Sequence, residues 1–283
     1  MLVSFASIPG FTDRPSEDFV AASQSTVVVL DGLTAPAELG TGCRHGTPWY
    51  VANLGTQLLQ AASIAPHRPL ADILAQSIES VANQHKNTCD LRHPGTPSAA
   101  VAMLRNESES VDYLVVFDCV IVLDGPAGLE IHTDLRVDGF AQAEHEATRK
   151  CRLGTPEHRD AVTALVAAQR PHRNQPDGYW VAAANPETAA HAVTGTRSHV
   201  DSAALLTDGA SSLADRYHQV NWPQLLTLLH RHGPQHLIDR VRAIENTDPH
   251  GARWPRYKRS DDATAAYCLP GQPPSPTSTG MPA

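Results

Sequence analysis

With 283 residues, 41% of them hydrophobic and 18% charged, the chain can form one large domain or two small ones with a real core. A formal net charge of −8 without a long basic run offers no positive face to a phosphate backbone, so no nucleic-acid partner is expected. No apolar run approaches the roughly 18 residues of a bilayer span, and no basic region followed by an apolar core opens the chain, so a soluble, cytoplasmic protein with no membrane partner is expected.

The first clear element is Thr26–Leu30 (TVVVL), short, continuous and stopped by Asp31-Gly32, as in a buried strand. Between residues 47 and 65, Val51, Leu54, Leu58 and Leu59 recur at helical spacing. Leu70, Ile73, Leu74, Ile78 and Val81 do the same after Pro69, a suitable helix start. Strands return at residues 98–104 (SAAVAML) and, as one long run, at 113–123 (YLVVFDCVIVL). A hairpin turn over 124–128 (DGPAG) leads to LEIHT. Residues 160–169 read as helix, 178–184 (GYWVAAA) as strand, 186–193 as a short helix and 202–207 (SAALLT) as strand. Two helical segments follow, over 222–232 and 235–244, and a last strand over 264–269 (TAAYCL).

This order is not a regular βαβα alternation, so one α+β domain with mainly antiparallel strands is the economical reading, spanning 1–269. The Pro- and Ser-rich segment 270–283 is expected to be a disordered tail. The 5 cysteines form no CxxC pair, which argues against a zinc ribbon or thioredoxin-like centre and for free thiols in a reducing cytoplasm. TGCRHG at 41–46 reads as a loop entering a helix, and the 15 histidines look scattered. RWPRYKR at 253–259 reads as a solvated loop. Trp49, Trp180 and Trp222 read as core anchors.

Aspartate before glycine is ordinarily a turn, and Asp124, Asp138 and Asp177 are read so. Asp31 and Asp208 differ, because each ends an apolar segment, VVVLDG and ALLTDG, with no partner strand within hairpin distance. A carboxylate at the mouth of a buried strand needs a partner, either a cation or a helix N-terminus. Glu17-Asp18 before FVAA and Asp261-Asp262 before TAAYCL repeat the pattern. Oxygen donors suit hard cations such as magnesium and manganese. Neither GxSxG nor a Walker phosphate loop occurs.

The ordered set SED (16–18), VVVLDG, GTPSAAVAML from Gly95, VVFDCVIVL, LLTDGAS and DDAT (261–264) resembles the metal-dependent protein serine/threonine phosphatases of the 2C type, in a divergent bacterial form. The resemblance implies a four-layer sandwich, two central antiparallel β-sheets flanked by helices on both faces. It implies two divalent cations, Mn2+ or Mg2+, with Asp31 bridging them and Gly32 lending its carbonyl. Glu17 would serve the second ion, and Asp208 and Asp261 the first. Asp118 would sit near a weaker third position, and Asp18 would orient metal-bound water from behind. The implied reaction is attack of a metal-activated water on phosphoserine or phosphothreonine in a phosphorylated protein substrate. Arg14 would contact phosphate, although it stands three residues before Glu17 where the family often has four. Leu33 takes the place of a histidine proton donor, and FDC replaces Gly-Asp-Ser. These departures keep open a catalytically weak or inactive module that binds a phosphoprotein or regulatory partner.

Overall fold

The computed structural model describes residues 1–34 and 36–271. Ten strands, numbered in chain order, build two antiparallel five-stranded sheets. The first has the spatial order β1 (Leu2–Ile8), β10 (Ala263–Leu269), β9 (Ser202–Leu206), β6 (Val120–Gly125) and β7 (Gly128–His132). The second runs β2 (Asp18–Ala22), β3 (Thr26–Gly32), β4 (Ala99–Asn106), β5 (Ser110–Val116) and β8 (Val193–Ser198).

The apolar runs are continuous because both faces of the central strands are covered. Along β6, Ile121 and Leu123 join the core shared with the second sheet, whereas Val120 and Val122 join a core beneath helices. Residues of β9 divide in the same way, Ala203 and Leu205 to one side, Ala204 and Leu206 to the other. Helices α1 (Gly46–Ile64) and α2 (Leu70–His85) cover the second sheet, burying Tyr50, Leu54 and Leu58 from one and Ile73, Leu74 and Ile78 from the other. Helices α3 (Gln142–Lys150) and α4 (Pro156–Gln169) pack on each other. Helices α5 (Asp208–Asp215) and α6 (Trp222–Thr247) cover the first sheet. The expected four-layer α+β sandwich is therefore present. Two helices expected over 222–244 form α6, broken at Gly233, where φ is +79° and Pro234 opens the second half. Among the described residues, no helix is long and apolar enough to cross a membrane.

Two expectations are corrected. The long strand over 113–123 is two strands in different sheets. Phe117 takes φ of +66°, and the chain turns through Asp118 to cross from β5 to β6. Asp118 thus sits in a turn, not inside a curved strand. Residues 178–184 make only single bridges, Tyr179 with Arg173 and Ala182 with Ala99, so that segment is extended without becoming a regular strand. The tail expected to be disordered lies, from residue 272, outside the described residues. Trp180 is buried, as expected, and stacks on His191 with ring centroids 3.6 Å apart.

Candidate active site

The element ends carrying the acidic motifs meet at one end of the sandwich. Antiparallel pairing of β2 with β3 sets Asp18 opposite Asp31. The turn between β5 and β6 brings Asp118, the start of α5 brings Asp208, and the approach to β10 brings Asp261 and Asp262. Hydrogen bonds join these segments. The Asp208 amide donates to Asp31 Oδ2 at 3.3 Å, and Thr207 Oγ1 donates to Asp18 Oδ2 at 3.0 Å. Asp262 accepts from the amides of Gly10 at 2.7 Å and Glu17 at 2.6 Å. Thr34 Oγ1 donates to the Glu17 carboxylate, and the Gly32 amide donates to the Glu17 carbonyl at 2.9 Å.

Glycine at 32 follows from this closeness. A Cβ there would stand 2.5 Å from both the Glu17 carbonyl oxygen and Thr47 Cγ2. Asp31, Gly32, Asp118, Asp208 and Asp261 line one open cleft of about 1580 Å³, together with Arg14, Arg216 and Lys258. Asp18, buried, stands behind this wall. Arg14 borders the cleft with its guanidinium carbon 3.9 Å from the centroid of the Phe11 ring.

Burial is the main cause that raises the Asp18, Asp31 and Asp118 carboxyls well above the ordinary range. Neighbouring carboxylates add to it: Asp18, Asp208, Asp118 and Asp261 all act on Asp31. Asp208 and Glu17 are raised too, again chiefly by burial. Asp18 Oδ1 is buried with no hydrogen-bond partner. This is a costly arrangement that a cation would relieve. The donor chemistry, carboxylates with a nearby backbone carbonyl, suits a hard divalent ion.

Two cations of the protein itself partly offset the charge. Lys258 Nζ donates to Asp261 Oδ1 at 2.6 Å, and Arg216 Nη2 lies 3.5 Å from Asp208 Oδ2. Among the described residues, the carboxylate oxygens do not gather within 4.8 Å of one another as a closed ligand set. Lys258 was hidden in sequence within the basic run read as a solvated loop. That reading is corrected: Arg256 is buried and bonded to Asp248, and Lys258 points to the acidic wall. Asp262, which ties β10 to the Glu17 segment, had only its position beside Asp261 to mark it.

No family model matches the sequence, and no curated protein matches it. Solved structures do. The Mycobacterium tuberculosis serine/threonine phosphatase PstP is 12% identical, with 95% of this chain and 98% of that one covered at a TM-score of 0.55. The PPM Ser-Thr phosphatase MsPP from Mycobacterium smegmatis, in complex with cacodylate, is 16% identical over 96% and 99% at 0.53. The PstP catalytic domain in complex with two manganese ions is 13% identical over 94% and 96% at 0.52. What the chain shares with them is the fold.

Proposed function

We propose that this chain hydrolyses phosphoserine and phosphothreonine monoesters in proteins, in the cytoplasm, with two divalent cations, Mn2+ or Mg2+. The observation that carries the reading is the convergence of Asp31, Asp118, Asp208 and Asp261 on one cleft wall. Bound cations would supply Lewis acidity, lowering the pKa of a water and offsetting phosphoryl charge. Asp31 would serve both ions and the Gly32 carbonyl one of them, Asp208 and Asp261 the first, Glu17 the second and Asp118 a weaker third. Asp18, held by its bond from Thr207, would orient water at the cations from behind. Arg14, Lys258 and Arg216 line the same cleft with positive charge and would draw in and orient the phosphate. Release of phosphate from phosphopeptides by the purified full chain, required to depend on added manganese or magnesium, tests the reading. Metal-independent activity or none across several phosphopeptides overturns it.

One observation favours a second reading, a phosphatase-like module that binds a phosphoprotein without turnover. The Lys258 ammonium already occupies Asp261. Calorimetry with a phosphopeptide separates the two: binding without phosphate release in saturating manganese selects the module.

A further inference from the structure

Away from the acidic cleft, residues that are far apart in sequence meet in space. The ligand atoms of Cys43, His45, His85 and Cys89 all lie within 4.8 Å of one another. Cys89 Sγ is 3.2 Å from Cys43 Sγ and 3.3 Å from His45 Nδ1. Cys43 Sγ is 3.6 Å from the Nδ1 atoms of both His45 and His85. Sulfur at about 2.3 Å and nitrogen at about 2.0 Å around one tetrahedral centre stand roughly 3.3–3.8 Å apart. The three sulfur–nitrogen edges, 3.3 to 3.6 Å, match such a tetrahedron, and the sulfur–sulfur edge at 3.2 Å is shorter than it requires.

Local folding brings the four together. His85 ends α2, and the Cys89 amide donates to the His85 carbonyl at 3.0 Å, which sets the two side chains on one turn. In the other loop Gly42 has φ of +66°, and its carbonyl accepts from the Asp90 amide at 2.8 Å, stitching the loops together. The His45 amide donates to Cys43 Sγ at 3.4 Å, which orients the sulfur toward the cluster. Trp49 packs on both imidazoles, with centroids 4.5 Å from His45 and 4.9 Å from His85, fixing their planes.

We infer that Cys43, His45, His85 and Cys89 form a structural zinc site. Two sulfurs and two imidazoles select zinc over manganese or magnesium, which take oxygen. A Cys43–Cys89 disulfide would need a sulfur separation of about 2.05 Å and would leave two oriented histidines without a role. The cysteines are free of disulfides, as expected, but Cys43 and Cys89 would act here as ligands, and His45 and His85 are gathered, not scattered. The pairs are C-x-H and H-x3-C, each too short a signal alone, and they are joined only by the packing of the loops at the ends of α1 and α2. The site sits where the chain enters α1, and Thr47 in the first turn of α1 reaches the Leu33 carbonyl at 3.5 Å, beside Gly32. Zinc would therefore brace the helix start that abuts the acidic corner.

Metal analysis of the full chain, purified without chelator, should find about one zinc per chain, and X-ray absorption should show two sulfur and two nitrogen neighbours. Cobalt added to zinc-stripped protein should give a thiolate-to-metal charge-transfer band. Cys89→Ser should lose the zinc, whereas Asp31→Asn should keep it, which separates this site from the acidic cleft. If Cys89→Ser does not fold, the cobalt spectrum of the unsubstituted chain decides. Zinc with oxygen neighbours only, no charge-transfer band, or a Cys43–Cys89 disulfide in unreduced peptide maps overturns the inference.

Discussion

Asp18 on β2 and Asp31 on β3 are register partners, so two carboxylates face each other across neighbouring strands at the end of the sandwich. Like charges directly opposite weaken a sheet, and burial sharpens the repulsion. The fold accepts this cost where a cation site is proposed. Asp31→Asn removes one charge and keeps the shape. Without added manganese or magnesium, the variant should be more stable than the parent by about 1 kcal/mol in urea denaturation. With manganese its phosphate release should fall at least about 100-fold. A variant that is both less stable and active would show that the opposition of Asp18 and Asp31 is not the cost described.

Lys258 competes with any cation for Asp261, since its ammonium donates to Oδ1 at 2.6 Å. Asp261 and its own burial act on Lys258 in opposite directions, and the net effect raises the Lys258 pKa above the usual lysine value, so it stays charged at neutral pH. Lys258→Met frees the carboxylate. Manganese should then half-activate the chain at a concentration roughly 5–10-fold lower, about 1 kcal/mol of competition removed. A titration of phosphate release against manganese checks this, and an unchanged midpoint would mean that Lys258 yields without cost.

The parts of the fold legible in sequence are those where a periodic signal and a stop coincide. β3, β9 and β10 are continuous apolar runs because helices or the second sheet cover both faces; one Asp-Gly pair closes β3 and another, just past β9, opens α5. Helices α1 and α2 show their buried stripes directly. The break between β5 and β6 is invisible because Phe117 takes a left-handed conformation with no glycine to mark it. Helix α3 is invisible for another reason: among its nine residues only Thr148 is buried, so no apolar stripe forms. At the candidate site, Asp31, Asp118, Asp208 and Asp261 were legible because each lies at or beside an apolar strand. Lys258 and the Cys43–His45–His85–Cys89 group were not, since their meaning arises from loops that meet only in the folded chain.

Gly209 tests how tightly α5 is set against β10. A Cβ at this position would stand 2.0 Å from the Asp262 carbonyl oxygen, a backbone atom that no rotamer change can move. Alanine in place of glycine in a helix ordinarily adds up to about 1 kcal/mol of stability. Here Gly209→Ala should instead cost about 2 kcal/mol, because α5 must shift away from the segment whose Asp262 carboxylate ties Glu17 in place. Thermal or urea denaturation reads the sign, and a stabilised variant would show that the contact relaxes freely.

Asp248 anchors the loop that delivers Lys258 to the cleft. It is buried at the end of α6, and its carboxylate accepts from the amides of Ala252 and Trp254, both at 2.9 Å, and of Arg253 at 3.2 Å. Arg256, also buried, donates to the same carboxylate at 3.3 Å and to the Asp248 carbonyl at 2.6 Å. Burial pushes the Asp248 carboxyl up, but these amides and the guanidinium outweigh it and hold the carboxyl below the usual range. A carboxyl lowered in the folded state contributes stability above its unfolded value of about 3.9 and loses it as pH falls through the folded value. Asp248→Asn leaves Arg256 buried without its counter-charge and should cost about 3 kcal/mol at neutral pH. The gap between parent and variant should narrow steadily below about pH 3.9, because the parent then loses the same charge. Urea denaturation of both proteins at neutral pH and at pH values on either side of 3.9 measures that gap directly. A gap independent of pH would assign the anchoring to the shape of the side chain and not to its charge.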